Sequence, residues 1–277
     1  MNDFETDKKA TLVISELAKE GYGDLAKPSF KEVGTGAGYI ARFAANLIGR
    51  PFEHLSKRLE HFWDQADREY LKKVDSIPEN ERIEPSLDVS LKTIQAMQSR
   101  IANDDLRSLF INLLVSASDS RVKDGVMPSY PSLLTDLTSD EAKLLVRLSD
   151  INRPNPFLVV SREVKVNGKV TGEIVIIKHL SKLAFEANCS YPNNIGQYID
   201  NLARLNIIEI PALTSYSDDT IYDDLESDPL IQVVKTNMEK QYGTQIKYTR
   251  KMLRLTNLGE GLCKACKINQ LNSRGNG

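Results

Sequence analysis

The chain of 277 residues carries a formal net charge of −2 at pH 7, with 41% hydrophobic and 27% charged residues. This composition is that of a globular protein, the length favours two domains, and the overall charge excludes non-specific attraction to nucleic acid or anionic lipid. Three cysteines, an odd number, argue against a disulfide framework. Because the acidic start also lacks the apolar core of a secretory signal, we expect a cytoplasmic protein.

A Gly/Ala-rich segment, residues 33–52, follows a short predicted helix at residues 10–20. Its length matches a membrane span, but Arg42 and Asn46 lie near its middle. An arginine at the bilayer centre costs about 2.5–3.5 kcal/mol, which the few large apolar residues do not offset. We therefore favour a helix whose small residues allow close packing against a neighbour, with membrane insertion after a trigger as the alternative.

Amphipathic helices are predicted through the rest of the first 150 residues. Residues 52–74 form one, because apolar residues recur every three or four positions at Leu55, Leu59, Phe62, Ala66 and Tyr70. After a linker that contains Pro78 and Pro85, the same spacing predicts helices at 87–101, 106–114 and 139–149. Thr138 and Glu141 form a capping box at the start of the last one. Residues 1–150 are therefore predicted to be a helical domain.

The character of the sequence changes at residues 152–156, which we take as the boundary of a second domain, 151–277. A β-hairpin is predicted at 157–177, because Asn167-Gly168 between β-branched runs favours a type I′ turn. Beyond it the patterns predict helices at 179–189 and about 193–205, strands at 206–211 and 246–255, and a closing helix. Two helices followed by two strands match a winged-helix plan with an acidic insertion at 212–245. The expected fold is mainly α: an N-terminal helical domain with a C-terminal α+β winged-helix-like domain.

The cysteines and histidines do not form a convincing metal site. Cys263 and Cys266 have zinc-like spacing, and His179 and Cys189 would complete four ligands. If 179–189 is one helix, however, the latter two side chains lie about 15 Å apart and cannot share an ion. His54 and His61 are two helical turns apart, too far for the chelation seen in HExxH sites. We therefore predict no metal, and packing roles for the cysteines.

Motifs of the common enzyme classes are missing from the sequence. There is no GxxxxGK[ST] loop and no GxSxG elbow, and Gly34, Gly36 and Gly38 lack the strand and spacing of a dinucleotide-binding loop. No set of residues stands out as catalytic. We therefore predict a protein that is not an enzyme and needs no cofactor.

Charge is segregated in the second domain. The stretch 215–229 is acidic and contains no cation, and the strand 246–255 carries Lys247, Arg250, Lys251 and Arg254. A basic wing is a common way to hold nucleic-acid phosphates, so these four residues are candidate nucleic-acid contacts. The simpler interpretation is that the strand pairs electrostatically with the acidic insertion, which would itself repel DNA.

The block 83–148 resembles the abortive-infection alpha family of bacterial proteins. The residues that carry the resemblance are IEPSLDVSLKTIQA, DDLRSLFINLLVSASDSR and PSYPSLLTDLTSDEAKLL, and the tail segments LARLNIIEIP and LTNLGEGLCKAC are similar to the family's C-terminal part. Where the family is expected to have histidine before Pro-Ser, this chain has Met127. The resemblance implies a role in phage defence, with no settled enzymatic mechanism and no catalytic residues to carry over.

One loop inside this block is a candidate partner surface, formed by Asp119, Ser120, Arg121, Pro128 and Ser129. The simpler interpretation, which we favour for Asp119 and Arg121, is that they cap and bridge helix ends. The leading hypothesis is a non-enzymatic antiphage defence protein that binds a protein partner: a phage component, a host component or a second copy. A DNA-binding regulator that uses the basic strand and a membrane-disrupting effector that uses 33–52 are the alternatives.

Overall fold

The computed structural model describes residues 56–100 and 103–268, with side chains from His61 onward. The predicted features at 10–20, at 33–52 and at His54 lie outside these residues. Five helices form the first part of the described chain: α1 (Ser56–Val74), α2 (Leu87–Ser99), α3 (Asp104–Ala117), α4 (Tyr130–Thr135) and α5 (Ser139–Leu148). The second part contains β1 (Pro156–Val166), β2 (Lys169–Leu180), α6 (Leu183–Glu186), α7 (Ile195–Arg204), β3 (Ile208–Glu209), α8 (Asp223–Glu226), α9 (Pro229–Tyr242), β4 (Ile246–Met252), β5 (Arg254–Leu255) and α10 (Asn257–Ala265).

The helix signals of the first part are confirmed. Phe62, Ala66 and Tyr70 form a buried stripe on α1, as their spacing predicts. The Thr138 hydroxyl accepts from the Glu141 backbone N–H at 3.2 Å while the Glu141 carboxylate accepts from the Thr138 N–H at 2.7 Å, which is the capping box. Helix α4 was not anticipated, because Pro131 in its first turn made the sequence look like a loop.

The hairpin is also confirmed, and it is longer than predicted. Asn167 and Gly168 both have positive φ, 52° and 75°, as a type I′ turn requires. Strand β2 continues to Leu180, so the helix predicted at 179–189 is wrong. The β-branched run before His179 pairs with β1, joining Val160 to Ile177 and Leu158 to Leu180. Within the range 179–189, the helix that is present is the short α6.

The strand predicted at 246–255 is divided between two antiparallel sheets. β4 pairs with β1 in a three-stranded sheet of order β2-β1-β4, whereas β5 pairs with β3 in a two-stranded sheet. The acidic insertion 212–245 folds into a 3-10 turn (Asp219–Tyr222) followed by α8 and α9. The architecture is therefore mainly α with two small antiparallel sheets.

One hydrophobic core runs through both parts of the described chain. Phe110 and Leu145 from the first part share it with Phe157, Leu202 and Leu262 from the second. A smaller cluster packs the insertion onto the sheet through Leu158, Val160, Leu180, Tyr222, Leu225 and Ile231. The core is thus continuous across the boundary predicted at 152–156. No helix within the described ranges is both long enough and apolar enough to cross a membrane.

Candidate functional site

The candidate loop leaves the end of α3 alongside the linker that follows α1. The Ile83 N–H donates to the Ser118 carbonyl at 3.0 Å, and the Ser120 N–H donates to the Glu81 carbonyl at 2.9 Å. The Ser120 hydroxyl also bonds the Glu81 carboxylate. These bonds hold the first residues of the loop against the body of the protein.

Asp119 is the buried anchor of this loop, with 3% of its surface exposed. Its two carboxylate oxygens accept from Arg121 Nε and Nη2 at 2.8 and 2.7 Å, and Oδ1 also accepts from the Arg121 backbone N–H at 3.1 Å. Hydrogen bonding to Arg121 lowers the pKa of Asp119. Such a two-pronged, charge-assisted contact is strong and directional, so the loop has a defined shape at this point.

The outer part of the loop is solvent-exposed. Met127 and Val122 are each 46% exposed, and Pro128 and Ser129 are exposed at the start of α4. We call residues 121–129 the loop surface. It presents two apolar side chains among charged and polar ones, on a backbone that the Asp119 anchor holds in place.

A buried polar contact that sequence reasoning missed lies at the junction of α1, α3 and α10. Asn112 is 3% exposed; it donates to the Cys266 carbonyl at 2.8 Å and accepts from Lys73 Nζ at 2.7 Å. These bonds fasten the end of α10 to the helices of the first part. The single asparagine inside the apolar run FINLLV was the available signal, because a buried amide requires partners.

Asp140 and Arg147, both on α5, were also missed. The Asp140 carboxylate accepts from the backbone N–H groups of Ser190 and Tyr191 at 2.7 and 2.9 Å, and from the Tyr198 hydroxyl at 2.8 Å. The nearly buried Arg147 donates to Glu186, Asn155 and the Pro154 carbonyl at 2.7–3.1 Å. Their partners lie between 7 and 58 positions away in the sequence, so no local pattern identifies them.

The cysteines and histidines occupy separate environments. Burial raises the pKa of the Cys263 thiol to about 12 and also raises the pKa of Cys266 well above its ordinary value, so both thiols are protonated at neutral pH. His179 is the next-to-last residue of β2, and the Cys189 thiol donates to the Asp140 carbonyl at 3.4 Å. His61 is exposed and bonds Gln65 at 2.8 Å. Within residues 56–100 and 103–268, no group of three or more His, Cys, Asp or Glu side chains is placed to hold a metal ion.

The cations of the basic strand all have partners inside the molecule. Arg250 pairs with Asp219 and Glu226 of the insertion at 2.5 and 2.6 Å, and the Lys251 ammonium donates to the Ala212 carbonyl. Lys247 pairs with Glu173 of β2, and Arg254 with Glu209 of β3, each at 2.7 Å. Arg250 thus pairs with the acidic insertion, as the simpler interpretation expects, whereas Lys247 and Arg254 pair with carboxylates that lie outside it.

Three comparisons place the chain among known proteins. The sequence model of the family described as abortive infection alpha matches residues 58–266. No curated protein sequence matches the chain. Among solved structures, an uncharacterized protein from the hydrocarbon-degrading marine bacterium Alcanivorax borkumensis SK2 is 20% identical over 50% of this chain and 92% of that chain; the TM-score of 0.32 is too low to support an argument. Because the family match extends over most of its length, the protein belongs to the abortive infection alpha family.

Proposed function

We propose that the protein acts in the cytoplasm in abortive-infection-type defence, by binding a protein partner through the loop surface rather than by catalysis. Membership of the family supports the defence role. The observation that supports this site is the pair of half-exposed apolar residues, Val122 and Met127, on an anchored loop. The partner is a phage component, a host component or a second copy of the chain.

Preorganisation is the physical reason for choosing this loop. A flexible segment loses conformational freedom on binding, and that loss weakens the complex. Here the Asp119 anchor and the bonds to Glu81 already limit that freedom. The Arg121 guanidinium pairs with the Asp119 carboxylate, so these two charged groups stabilise the shape of the loop. This use of charge supports binding over catalysis.

The proposal predicts that Val122→Asp and Met127→Asp each weaken protection of cells against phage. Each change places a charge where apolar contact with the partner is expected, and an interface anchor typically contributes about 1–2 kcal/mol, or roughly tenfold in affinity. Both side chains are half-exposed, so folding stability should change by less than about 0.5 kcal/mol. The measurement is plaque counting with circular dichroism melts of the same variants.

Ile151→Asp is the matched control, because Ile151 is 92% exposed and lies outside the loop surface; protection should survive it. Full protection by both folded loop variants would contradict the proposed site. A folded variant at one His, Asp or Glu outside residues 119–129 that eliminates protection completely would instead reveal an active site and contradict the binding mechanism.

We also infer that α7, β3 and β5 form a winged-helix-like unit in which the insertion separates the two strands. Support comes from the antiparallel pairing of Ile208 with Leu255 and of Glu209 with Arg254 directly after α7. The internal ion pairs of Arg250 and Lys247 give no support for DNA binding by this unit.

A further inference from the structure

A cleft of about 570 Å³ lies between the end of β2, α6, the start of α7 and the start of α9. Its volume falls in the range of small-molecule sites, roughly 300–1,000 Å³. Most of its lining is apolar: Ile177, Leu180, Phe185, Pro192, Ile195 and Leu230. Phe185 and Leu230 are 58% and 48% exposed, so apolar surface is available to a ligand.

His179 is a buried polar group in this lining, with 6% of its surface exposed. Its Nδ1 atom is buried without a hydrogen-bond partner, and Asp200 Oδ1 on α7 lies 3.9 Å away. Since Nδ1 faces α7, the opposite edge of the ring, with Nε2, lines the cleft. Burial lowers the pKa of His179, so the ring is neutral at pH 7. An unpaired polar nitrogen in a buried position is unfavourable, and protonation of the ring would let Nδ1–H pair with Asp200.

Charge in the cleft is unevenly compensated. Lys182 lines it, and in the described part of the chain no carboxylate lies within ion-pairing distance of its ammonium. Asp228 also lines the cleft, but its carboxylate accepts from the Leu230 N–H at 2.9 Å at the N-terminus of α9, where the helix dipole favours negative charge. Asp200 is held by Lys178 at 2.7 Å. Among the charged side chains of the lining, the Lys182 ammonium is therefore the one for which the described residues provide no partner.

We propose that this cleft binds a small molecule with an apolar or aromatic body and one acidic group. The body packs between Phe185 and Leu230, and the acidic oxygens accept from the Lys182 ammonium and from His179 Nε2. Binding of the anion favours the protonated ring, in which Nδ1–H faces Asp200. This site goes beyond the partner-binding function and uses none of the residues of the loop surface.

Two dyes of nearly equal shape test the proposal on the full chain: 8-anilinonaphthalene-1-sulfonate, which is anionic, and N-phenyl-1-naphthylamine, which lacks the sulfonate. We expect Lys182→Met and His179→Gln to raise the Kd of the anionic dye about fivefold to tenfold each and to leave the neutral dye almost unchanged. Leu230→Asp should weaken both dyes. Lys169→Met, which removes an exposed cation from the hairpin, is the matched control and should change neither.

Two further readouts separate this site from adventitious dye binding. The imidazole NMR signals of His179 should shift on addition of the anionic dye while those of the exposed His61 stay in place. Affinity for the anionic dye should also rise as the pH falls and the His179 ring becomes protonated. The proposal is overturned if the anionic dye does not bind, if Lys182→Met and Leu230→Asp bind it normally, or if the His179 signals do not move at saturation. Circular dichroism melts establish that each variant is folded.

Discussion

Asp140 shows how one carboxylate organises a part of the structure that lies far away in the sequence. Burial by itself would raise the pKa of Asp140, but hydrogen bonds from Ser190, Tyr191 and Tyr198 outweigh that effect and lower it. The charged form is therefore favoured by folding. This residue joins α5 to the turn before α7, so its ionisation and the packing of α7 are coupled.

At this scale we predict that Asp140→Asn lowers the free energy of unfolding by about 2–3 kcal/mol, because the amide cannot accept all three hydrogen bonds. The sign of the pH effect follows from the lowered pKa. The stabilisation is present above the ordinary pKa of an unfolded aspartate, 3.8, and disappears as the pH falls through the folded value. Urea unfolding at several pH values measures both effects.

The variant should therefore lose less stability between pH 6 and the acid range than the natural protein does. Asp124→Asn, which changes an exposed aspartate of the loop surface, is the control and should leave stability nearly unchanged. Equal stability of Asp140→Asn and the natural protein at pH 7 would contradict the role given to this carboxylate.

At the scale of elements, the docking of α10 depends on close backbone approach. Thr256 caps α10 by accepting from the Gly259 N–H at 3.0 Å, and its own N–H donates to the Ile207 carbonyl at 3.0 Å. A Cβ atom at Gly259 would overlap the Ile207 carbonyl oxygen, and one at Gly261 would overlap the Tyr130 hydroxyl. These contacts explain two glycines in a helix that could otherwise use alanine.

Gly259→Ala is expected to destabilise the protein by about 2–3 kcal/mol, because the neighbouring atom belongs to the backbone and cannot turn away. Gly196→Ala is the matched helical control. A Cβ at Gly196 meets only His179 Nδ1 at an ordinary 3.9 Å, so this change should be neutral or stabilising by up to about 1 kcal/mol. Denaturant unfolding of the two variants measures the difference, and equal effects would show that α10 is not packed this closely.

For the whole molecule, the continuous core and its polar contacts determine how the chain unfolds. Asn112 ties α3 to the end of α10, and Arg147 ties α5 to the residues before β1 and to α6. Both links join residues on either side of position 150. The described chain should consequently unfold as one cooperative unit, although two domains, 1–150 and 151–277, were predicted from the sequence.

Calorimetry should accordingly show a single unfolding transition. Asn112→Ala should lower the midpoint temperature of that whole transition. Loss of the amide leaves the Cys266 carbonyl unpaired and costs about 2 kcal/mol, or roughly 4–8 °C in Tm for a chain of this size. Asn237→Ala, on the exposed side of α9, is the control and should not shift the transition. Two resolved transitions, of which Asn112→Ala shifts only one, would favour independent domains.

Features that depend on neighbouring residues could be predicted from the sequence. The apolar spacing of α1 to α3, the Thr138–Glu141 capping box and the Asn167-Gly168 turn each arise from contacts within a few positions. The family resemblance could also be identified from the sequence, because each motif that carries it is a continuous run of residues. In the candidate site, Asp119 and Arg121 were predicted to cap and bridge helix ends, whereas they bond to each other across two positions.

Only the tertiary structure decided the features that depend on distant partners. His179 was predicted to begin a helix, but it lies in strand because β2 pairs with β1. The basic strand is divided because its first part pairs with β1 and its last two residues pair with β3. The partner of Arg250, the anchoring role of Asp140 and the cleft at His179 likewise combine elements that are tens of residues apart. Local propensities differ by no more than about 1 kcal/mol per residue, so the burial and hydrogen bonding that these long-range contacts provide determine the outcome.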